Sequence, residues 1–478
     1  MNIALIIYLV VLVLIAVRSA RRVKDIPDFF VARKGASAKA VAGSLVATIL
    51  GGSAVIGAVD SGTRLGGAAS WFMLTGALGL LALIPFASRA YSHGKYALPD
   101  LVENLYGKGP RLVASIVIPI AWTGIVAAQI IAAAKLLMTF TPMSYTAAAI
   151  TAAAVFTGYT LAGGQFSILR TDFFQACLII VGLLVLAGFA LFADASQVTD
   201  ITQTAGTLAT AGASDAASAV NIPPFPFHAN FTPFDLFLLI LTYGTTYTAG
   251  PDIFSRMFCA KDVATAKKAI AAAACTLIPV AFVIGFLAVY GAGLGEVQGA
   301  RITAIANAVF PPALIPLFAL ALLSVVLSSA DTTLLSSSVI ICGLFRIGAD
   351  PKGARDPQTT AGAANKSLLK ARAIILLNGI VALLIALVFT DIIGTLLLAL
   401  AVYAGAFTVP ILWGLLGLKA KPKFVAAAII AGGALALAGK FCPALPGALG
   451  AHTGDFLMVA AFIVNAIILA IGREKKTN

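Results

Sequence analysis

Hydrophobic residues in this chain form long runs separated by short polar loops, and this pattern predicts thirteen membrane-spanning helices. A helix needs about 20 apolar residues to cross a hydrocarbon core of about 30 Å. The runs do not alternate polar and apolar positions, as the strands of a membrane β-barrel do. The predicted spans are residues 3–17, 39–66, 68–90, 112–138, 145–163, 171–193, 234–257, 269–294, 313–345, 368–390, 392–415, 424–439 and 455–472.

Two of these spans are rich in glycine and polar residues, which predicts breaks in their helices. The second span contains Gly51–Ser53, and the seventh contains Thr242–Pro251. Small residues also permit close helix packing, which is the alternative for either segment alone. Each segment, however, lies in the first helix of a five-span unit, at residues 39–193 and 234–415. An odd number of spans inverts the second unit, and paired broken helices in inverted repeats indicate a transporter site near the bilayer midplane.

The ninth span combines hydroxyl side chains with a carboxylate. Ser328, Asp331 and Thr332 follow an i, i+3, i+4 spacing, so they project from one face of a helix. Hydrogen bonds to carbonyls four residues earlier would explain the serines. They would not explain Asp331, because a carboxylate within a span costs roughly 3 kcal/mol or more and marks an ion path or a paired site. Oxygen ligands without histidine or cysteine favour a hard cation such as Na⁺ over a transition metal.

Composition agrees with a membrane protein and excludes a soluble one. The chain has 478 residues, of which 60% are hydrophobic and 11% charged, whereas soluble proteins are about 25% charged. The five cysteines form no CxxC pair or Cys/His cluster, so neither a zinc site nor a disulfide framework is indicated. No HExxH or GxxxxGK[ST] motif occurs, which disfavours an intramembrane metalloprotease and ATP-driven transport.

The net charge of +13 reports orientation in the membrane rather than a nucleic-acid partner. Of the 32 Lys and Arg residues, 28 fall on one side of the predicted bilayer. The other side holds Arg64, Lys135, Arg301 and Lys440. Because basic loops stay in the cytoplasm, we expect the N-terminus outside and the C-terminus inside.

Four segments, in order along the chain, resemble the sodium:solute symporter family, which includes the sodium/proline, sodium/galactose and sialic acid symporters. Residues 97–107 match the family's cytoplasmic loop after its second core helix, and the ninth span matches its serine-rich eighth core helix. Residues 163–175 match its "GG…WTDxxQ" motif, with Arg170 in place of the usual Trp. Residues 251–262 match its "P…R…AK" motif at the end of the sixth core helix.

This resemblance implies an all-α polytopic membrane protein with a LeuT-like five-plus-five inverted repeat. One extra N-terminal and two extra C-terminal transmembrane helices bring the total to thirteen. The expected division is an N-terminal helix and basic loop at 1–38, a first repeat at 39–193, an extracellular loop at 194–233, a second repeat at 234–415, and two C-terminal helices with a basic tail at 416–478.

The resemblance also implies ion sites. The family's principal sodium site joins carbonyls of the first core helix to carbonyl and hydroxyl oxygens of the eighth, which here fall on Ala47, Leu50, Val325, Ser328 and Ser329. The second sodium site of some members would fall on Asp172, Ser328, Asp331 and Thr332. The alternative is that Asp172 is an exposed helix-end residue and that Asp331 carries a proton or is structurally paired. One or two Na⁺ ions are therefore expected as the coupling ion.

The substrate residues implied by the resemblance lie at the two breaks and on the third core helix. They are Gly51, Gly52, Ser53, Gln129, Tyr243, Thr246 and Tyr247. Ile49 and Tyr243 depart from residues common in the family, so the identity of the substrate stays open. Lys135, near the end of a span, is interpreted as snorkelling to the interface rather than clamping a substrate carboxylate.

We expect a Na⁺-coupled secondary active symporter that imports a small polar organic solute, with an amino acid or organic acid favoured. The alternatives are a symporter for a sugar or another small metabolite, and a transporter-like nutrient sensor. The chain is not expected to be an enzyme, and no catalytic residues are assigned. Its expected partners are the solute and the lipid of a bacterial inner membrane, without nucleic acid and without an obligatory protein partner.

Overall fold

The computed structural model describes residues 2–193, 225–297, 299–347, 357–389, 392–441 and 453–474. Most of the predicted extracellular loop at 194–233 therefore lies outside the described residues. Within these ranges the regular elements are helices, and extended backbone pairs only in three isolated bridges.

The first half of the described chain contains ten helices joined by short loops or single 3₁₀ and π-helical turns. They are α1 (Asn2–Ala20), α2 (Ile26–Val31), α3 (Ala38–Ile49), α4 (Ala58–Asp60), α5 (Gly62–Leu65), α6 (Ser70–Leu83), α7 (Ala87–His93), α8 (Leu98–Tyr106), α9 (Lys108–Phe140) and α10 (Tyr145–Phe192).

The second half begins after the gap at 194–224. Its helices are α11 (Pro233–Leu239), α12 (Thr245–Ala249), α13 (Pro251–Met257), α14 (Val263–Gly293), α15 (Arg301–Val309), α16 (Ile315–Leu344), α17 (Pro357–Val388), α18 (Ile392–Leu415), α19 (Pro422–Phe441) and α20 (Thr453–Ile471).

Helices long and apolar enough to span a membrane dominate the fold. The described residues contain nine of them, or ten when the bent pair in the second predicted span is counted as one. The predicted total of thirteen contains three more spans than these ten. They are the first helix, the interrupted seventh span, and a second span obtained by counting α10 as two helices. The chain is an integral membrane protein, and its exact helix count stays a prediction.

Helix α10 corrects the predicted loop at residues 164–170. Residues 145–163 and 165–192 form two helices that meet at Gly164, so residues 165–170 are helical rather than a loop. The chain bends at Gly164, whose φ is +50°. A Cβ at Gly164 would lie 2.6 Å from the Phe29 carbonyl oxygen. A loop was predicted because Gly163 and Gly164 interrupt the apolar run. In the structure the chain changes direction at Gly164 alone, because one residue with positive φ is enough for the turn.

Both predicted helix breaks are present. Helix α3 ends at Ile49, and a π-helical turn at Ser53–Gly57 leads to α4, with a bend of 55° across the break. In the seventh span, a π-helical turn at Ile240–Gly244 precedes α12, and extended backbone at Gly250 separates α12 from α13. A Cβ at Gly250 would lie 2.3 Å from the Thr246 carbonyl oxygen, so only glycine fits this turn.

Helix α16 lies in the centre of the protein. Its most apolar stretch is 89% buried inside the protein, compared with 28% for α20 at the periphery. Helices α9, α10, α3 and α17 pack around α16, whereas α19 and α20 pack on each other and on α18. The polar face of α16 therefore meets the broken end of α3 in the protein interior.

Candidate ion and substrate sites

The broken end of α3 meets the serines of α16 in a cluster of buried oxygens. The Ser328 hydroxyl donates to the Ala47 carbonyl at 2.9 Å and to the Val325 carbonyl at 3.3 Å. The Ser329 hydroxyl donates to the Thr48 carbonyl at 3.0 Å. Carbonyls in the last turn of a helix have no partner within the helix, and here hydroxyls of another helix reach them.

Four of the five residues predicted for the principal ion site are thus brought together. Leu50, the fifth, is the C-cap residue that ends α3, and no hydrogen bond joins it to the two serines among the described residues. Gly51 allows the close approach, since a Cβ there would lie 2.6 Å from the Ser329 hydroxyl oxygen. The cluster offers neutral carbonyl and hydroxyl oxygens, which suit a hard monovalent cation.

A second, charged network lies beside this cluster. The Arg256 guanidinium is 3.7 Å from the Asp172 carboxylate, and both side chains are fully buried. Arg256 donates to Ser44 at 3.1 Å and also to Thr332, and Ser44 donates to Asp172. The Thr332 hydroxyl in turn contacts Asp331 at 3.3 Å.

The residues predicted for a second ion divide between these two groups. Asp172, Asp331 and Thr332 belong to the charged network, while Ser328 bonds to the carbonyl of Ala47. Asp172 is fully buried, so the alternative of an exposed helix-end residue is wrong.

Arg256 is a site residue that was not predicted, although an arginine within a predicted span is itself a signal of a paired or functional site. Its guanidinium supplies one fixed positive charge to a network that contains two carboxylates.

The two helix breaks and α9 enclose a cavity of about 50 Å³. Five of the seven predicted substrate residues line it. The full lining is Thr48, Ile49, Gly51, Trp122, Ile125, Gln129, Tyr243, Thr246, Tyr247, Asp252, Ser329, Thr333, Leu396 and Leu400.

The two remaining predicted substrate residues follow Gly51 in the break. A Cβ at Gly52 would lie 3.3 Å from the Gln129 side-chain oxygen, so Gly52 adjoins the cavity without space for a larger side chain. Ser53 begins the π-helical turn, and its side chain lies outside the described part of the structure. Lys135 is exposed and does not line the cavity, in agreement with its interpretation as an interfacial residue.

Aromatic side chains form the walls of this cavity. The rings of Tyr243 and Tyr247 meet edge to face with centroids 5.0 Å apart, and Phe72 packs against Tyr243 from outside. On the other side, Trp122 contacts Tyr403 at a centroid distance of 4.6 Å. Such perpendicular packing is the favourable geometry for aromatic pairs, and it gives the cavity rigid apolar sides.

Larger pockets lie towards both ends of the protein. One of about 330 Å³ shares Tyr243 and Leu400 with the central cavity and is flanked by Arg64 and Lys440. The other, about 400 Å³, lies near Arg111 and has no lining residue in common with the central cavity. Arg111 pairs there with Glu103 and contacts the Gly343 carbonyl at the end of α16.

Asp252 and Trp122 are cavity residues that the sequence analysis missed. Asp252 directly follows the Gly250–Pro251 break, and an acidic residue at a broken membrane helix is a signal that could have identified it. Trp122 gave no such signal, because one aromatic residue in an apolar span is not distinctive.

Comparisons with known proteins identify the family of the chain. The model of the sodium:solute symporter family matches residues 29–432. No curated protein sequence matches the chain significantly. A solved Na⁺-coupled sialic acid symporter, substrate-bound and outward-open, is 17% identical, with a TM-score of 0.75 over 100% of this chain and 99% of its own.

More distant solved structures share the fold with lower similarity. A nucleobase–cation symport transporter, closed with bromovinylhydantoin bound, is 15% identical, with a TM-score of 0.51 over 92% of this chain and 93% of its own. A manganese transporter from Eremococcus coleocola is 16% identical, with a TM-score of 0.51 over 91% of this chain and 95% of its own. At these identities the structures establish the fold alone. The family match extends over most of the sequence, so the chain belongs to the sodium:solute symporter family and is a Na⁺-coupled transporter rather than an enzyme.

Proposed function

We propose that this protein imports a small polar organic solute together with Na⁺ by alternating access, with an amino acid or organic acid as the favoured solute. The observation that carries the proposal is the shared wall between the ion cluster and the cavity. Ser329 bonds to the Thr48 carbonyl in the oxygen cluster and also lines the cavity, and Gly51 contacts it from the break.

This shared wall provides a physical route for coupling. Na⁺ is coordinated by carbonyls of Ala47, Leu50 and Val325 and by the hydroxyls of Ser328 and Ser329. The ion holds the end of α3 against α16, which fixes Gly51 and Ser329 in the shape that the solute meets. Two ligands that stabilise the same arrangement raise each other's affinity by the same factor.

The solute occupies the space between the two breaks, with Gly51, Gly52 and Ser53 on one side and Tyr243, Thr246 and Tyr247 on the other. Gln129 faces both from α9. The glycines allow backbone groups to approach the solute closely. A small apolar pocket with few polar groups fits a compact solute better than a long sugar.

A second Na⁺ is proposed at Asp172, Ser328, Asp331 and Thr332. Arg256 neutralises one of the two carboxylates there, so the other needs a further cation. The sialic acid symporter is described as revealing a novel Na⁺ site, which supports a search for a second ion here. If Asp331 instead carries a proton, one Na⁺ is bound per solute.

In the proposed topology the protein lies in a bacterial inner membrane, with thirteen helices, an outside N-terminus and a cytoplasmic C-terminus. The five-helix repeats are residues 39–193 and 234–415. The pocket near Arg64 and Lys440 then opens outwards, and the pocket near Arg111 lies on the cytoplasmic side.

The proposed ion dependence is tested on the purified protein in detergent by thermal unfolding. NaCl should raise the midpoint in a saturable way at constant ionic strength, and KCl should not, because a ligand that binds only the folded state stabilises it by mass action. Equal shifts with Na⁺ and K⁺ would count against a Na⁺ site. Solute binding without transport in vesicles would favour the sensor alternative.

A further inference from the structure

The cavity contains one carboxylate, that of Asp252, and no cationic side chain among its described lining residues. Asp252 is only 9% exposed, and one of its carboxylate oxygens has no hydrogen-bond partner in the described parts of the chain. Burying an unpaired charge is expensive unless something neutralises it. The group that neutralises Asp252 is therefore expected to arrive with a ligand.

The charge balance of the protein interior leads to the same expectation. Within the described helices, three buried carboxylates surround the two sites, at Asp172, Asp252 and Asp331, and the one buried guanidinium belongs to Arg256. Arg256 forms its ion pair with Asp172. Among the described residues, Asp252 and Asp331 form no ion pair of their own and share the field of Arg256 with Asp172, and one Na⁺ can neutralise only one of them.

Some polar groups that line the cavity already donate to the backbone, and others have no hydrogen-bond partner among the described residues. The hydroxyls of Thr246, Thr333 and Ser329 donate to backbone carbonyls at 2.7–3.0 Å, so towards a ligand they can only accept. The Gln129 side-chain oxygen is also buried without a partner among the described residues. The indole N–H of Trp122 is a donor that likewise has no partner among the described residues.

The helix break keeps Asp252 in place. Gly250 has extended backbone, Pro251 begins α13, and Asp252 lies in its first turn. The break therefore fixes the position of Asp252 in the lining of the cavity.

We propose that Asp252 binds a protonated amino group of the transported solute, with the Gln129 side-chain oxygen as a second acceptor. This inference rests on the proposed function and narrows it from amino acids and organic acids to solutes that carry an ammonium group. An oxygen of the same solute accepts from the Trp122 indole. A simple organic acid would instead bring a second negative charge beside Asp252.

The test uses isosteric pairs that differ in the amino group. Purified wild-type protein in saturating NaCl is unfolded thermally with L-alanine and L-lactate, L-serine and L-glycerate, L-valine and (S)-2-hydroxyisovalerate, and with ethylamine. At least one amine should raise the midpoint, and its hydroxy analogue should not. The inference is overturned if a hydroxy acid stabilises the protein as well as its amine, or if no amine in the panel does.

Variants then assign the effect to Asp252. Asp252→Asn keeps the shape and can still accept from backbone N–H groups, and it should weaken amine binding about 10- to 100-fold, the range for hydrogen bonds to charged groups. Asp252→Glu keeps the charge and should retain more affinity than Asp252→Asn. The matched control is Asp262→Asn, which removes an exposed acid that caps α14 and does not line the cavity. Equal amine affinity in wild type and Asp252→Asn would contradict the assignment.

The same experiment separates failure of this inference from failure of the proposed function. Stabilisation by Na⁺ without solute depends on the oxygen cluster of α3 and α16 and not on Asp252. If Na⁺ stabilises the protein but amines do not, only the amine subsite is wrong. If Na⁺ itself has no specific effect, the proposed function fails.

Discussion

Replacing both Ser328 and Ser329 by alanine should selectively weaken Na⁺ binding. These hydroxyls are two of the five proposed ligand oxygens, and they lie 2.9 Å and 3.0 Å from carbonyl oxygens of α3. A hydrogen bond or contact to a charged group contributes about 1.5–3 kcal/mol, and about 1.4 kcal/mol corresponds to a factor of ten in affinity. Loss of either serine hydroxyl should therefore lower the Na⁺ affinity about 10- to 100-fold.

The double variant should lose about 100-fold in Na⁺ affinity. The two effects will not add fully, because neighbouring ligands of one ion are coupled, and each substitution also frees an α3 carbonyl. At a Na⁺ concentration 100 times the wild-type Kd, binding stabilises the wild type by about 2.7 kcal/mol and the double variant by only about 0.4 kcal/mol.

The assay is thermal unfolding as a function of NaCl, with KCl keeping the ionic strength constant. Ser338→Ala is the matched control, since it removes another buried hydroxyl from α16, one that accepts from Asn378 at 3.2 Å. It lies ten residues from Ser328, or about 15 Å along the helix, and should leave Na⁺ affinity unchanged. An unaltered Na⁺ midpoint in a well-folded double variant would refute the assignment of these serines.

The remaining predictions concern the substrate, the second ion and the topology. Gly52→Leu should abolish solute binding in a protein that still folds and inserts, because its side chain would push into the space beside Gln129, and it should lower thermal stability, because Val326 and Ala132 also lie close. Tyr243→Phe should weaken solute affinity with little change in thermal stability. Normal solute binding by both variants would place the solute elsewhere. The Hill coefficient for Na⁺ should exceed one in the wild type and fall to one in Asp331→Asn, and a wild-type value of one would argue against two ions. A tag at the N-terminus should be accessible from outside the cell and a tag at the C-terminus only from the cytoplasm. Tags accessible from the same side would disprove thirteen spans.

Much of the cavity could be predicted from sequence, because its residues are chemically unusual within apolar spans. Glycine and proline weaken helices wherever they occur, so the breaks near Gly51 and Gly250 are encoded locally. The spacing of Tyr243, Thr246 and Tyr247 likewise places them on one face without knowledge of the partner helices. These three residues do line one cavity in the structure.

The charged network could not be predicted in this way, since it depends on contacts between distant segments. Arg256 meets Asp172, 84 positions earlier in the chain, and Thr332, 76 positions later. Nothing in the local pattern around Asp172 distinguishes a buried partner of arginine from an ion ligand. The helical conformation of residues 165–170 was missed for a related reason, because Phe29 from a remote helix packs against the bend at Gly164.

The central claim is that a Na⁺ gradient drives solute accumulation through the shared wall at Ser329. The most direct test is uptake into proteoliposomes of the radiolabelled form of whichever probe compound stabilises the purified protein most. With an inward Na⁺ gradient, the internal concentration should transiently exceed the external one, and replacing Na⁺ by K⁺ or substituting both Ser328 and Ser329 should abolish this overshoot. Uptake that only equilibrates, or that proceeds equally in K⁺, would contradict the account.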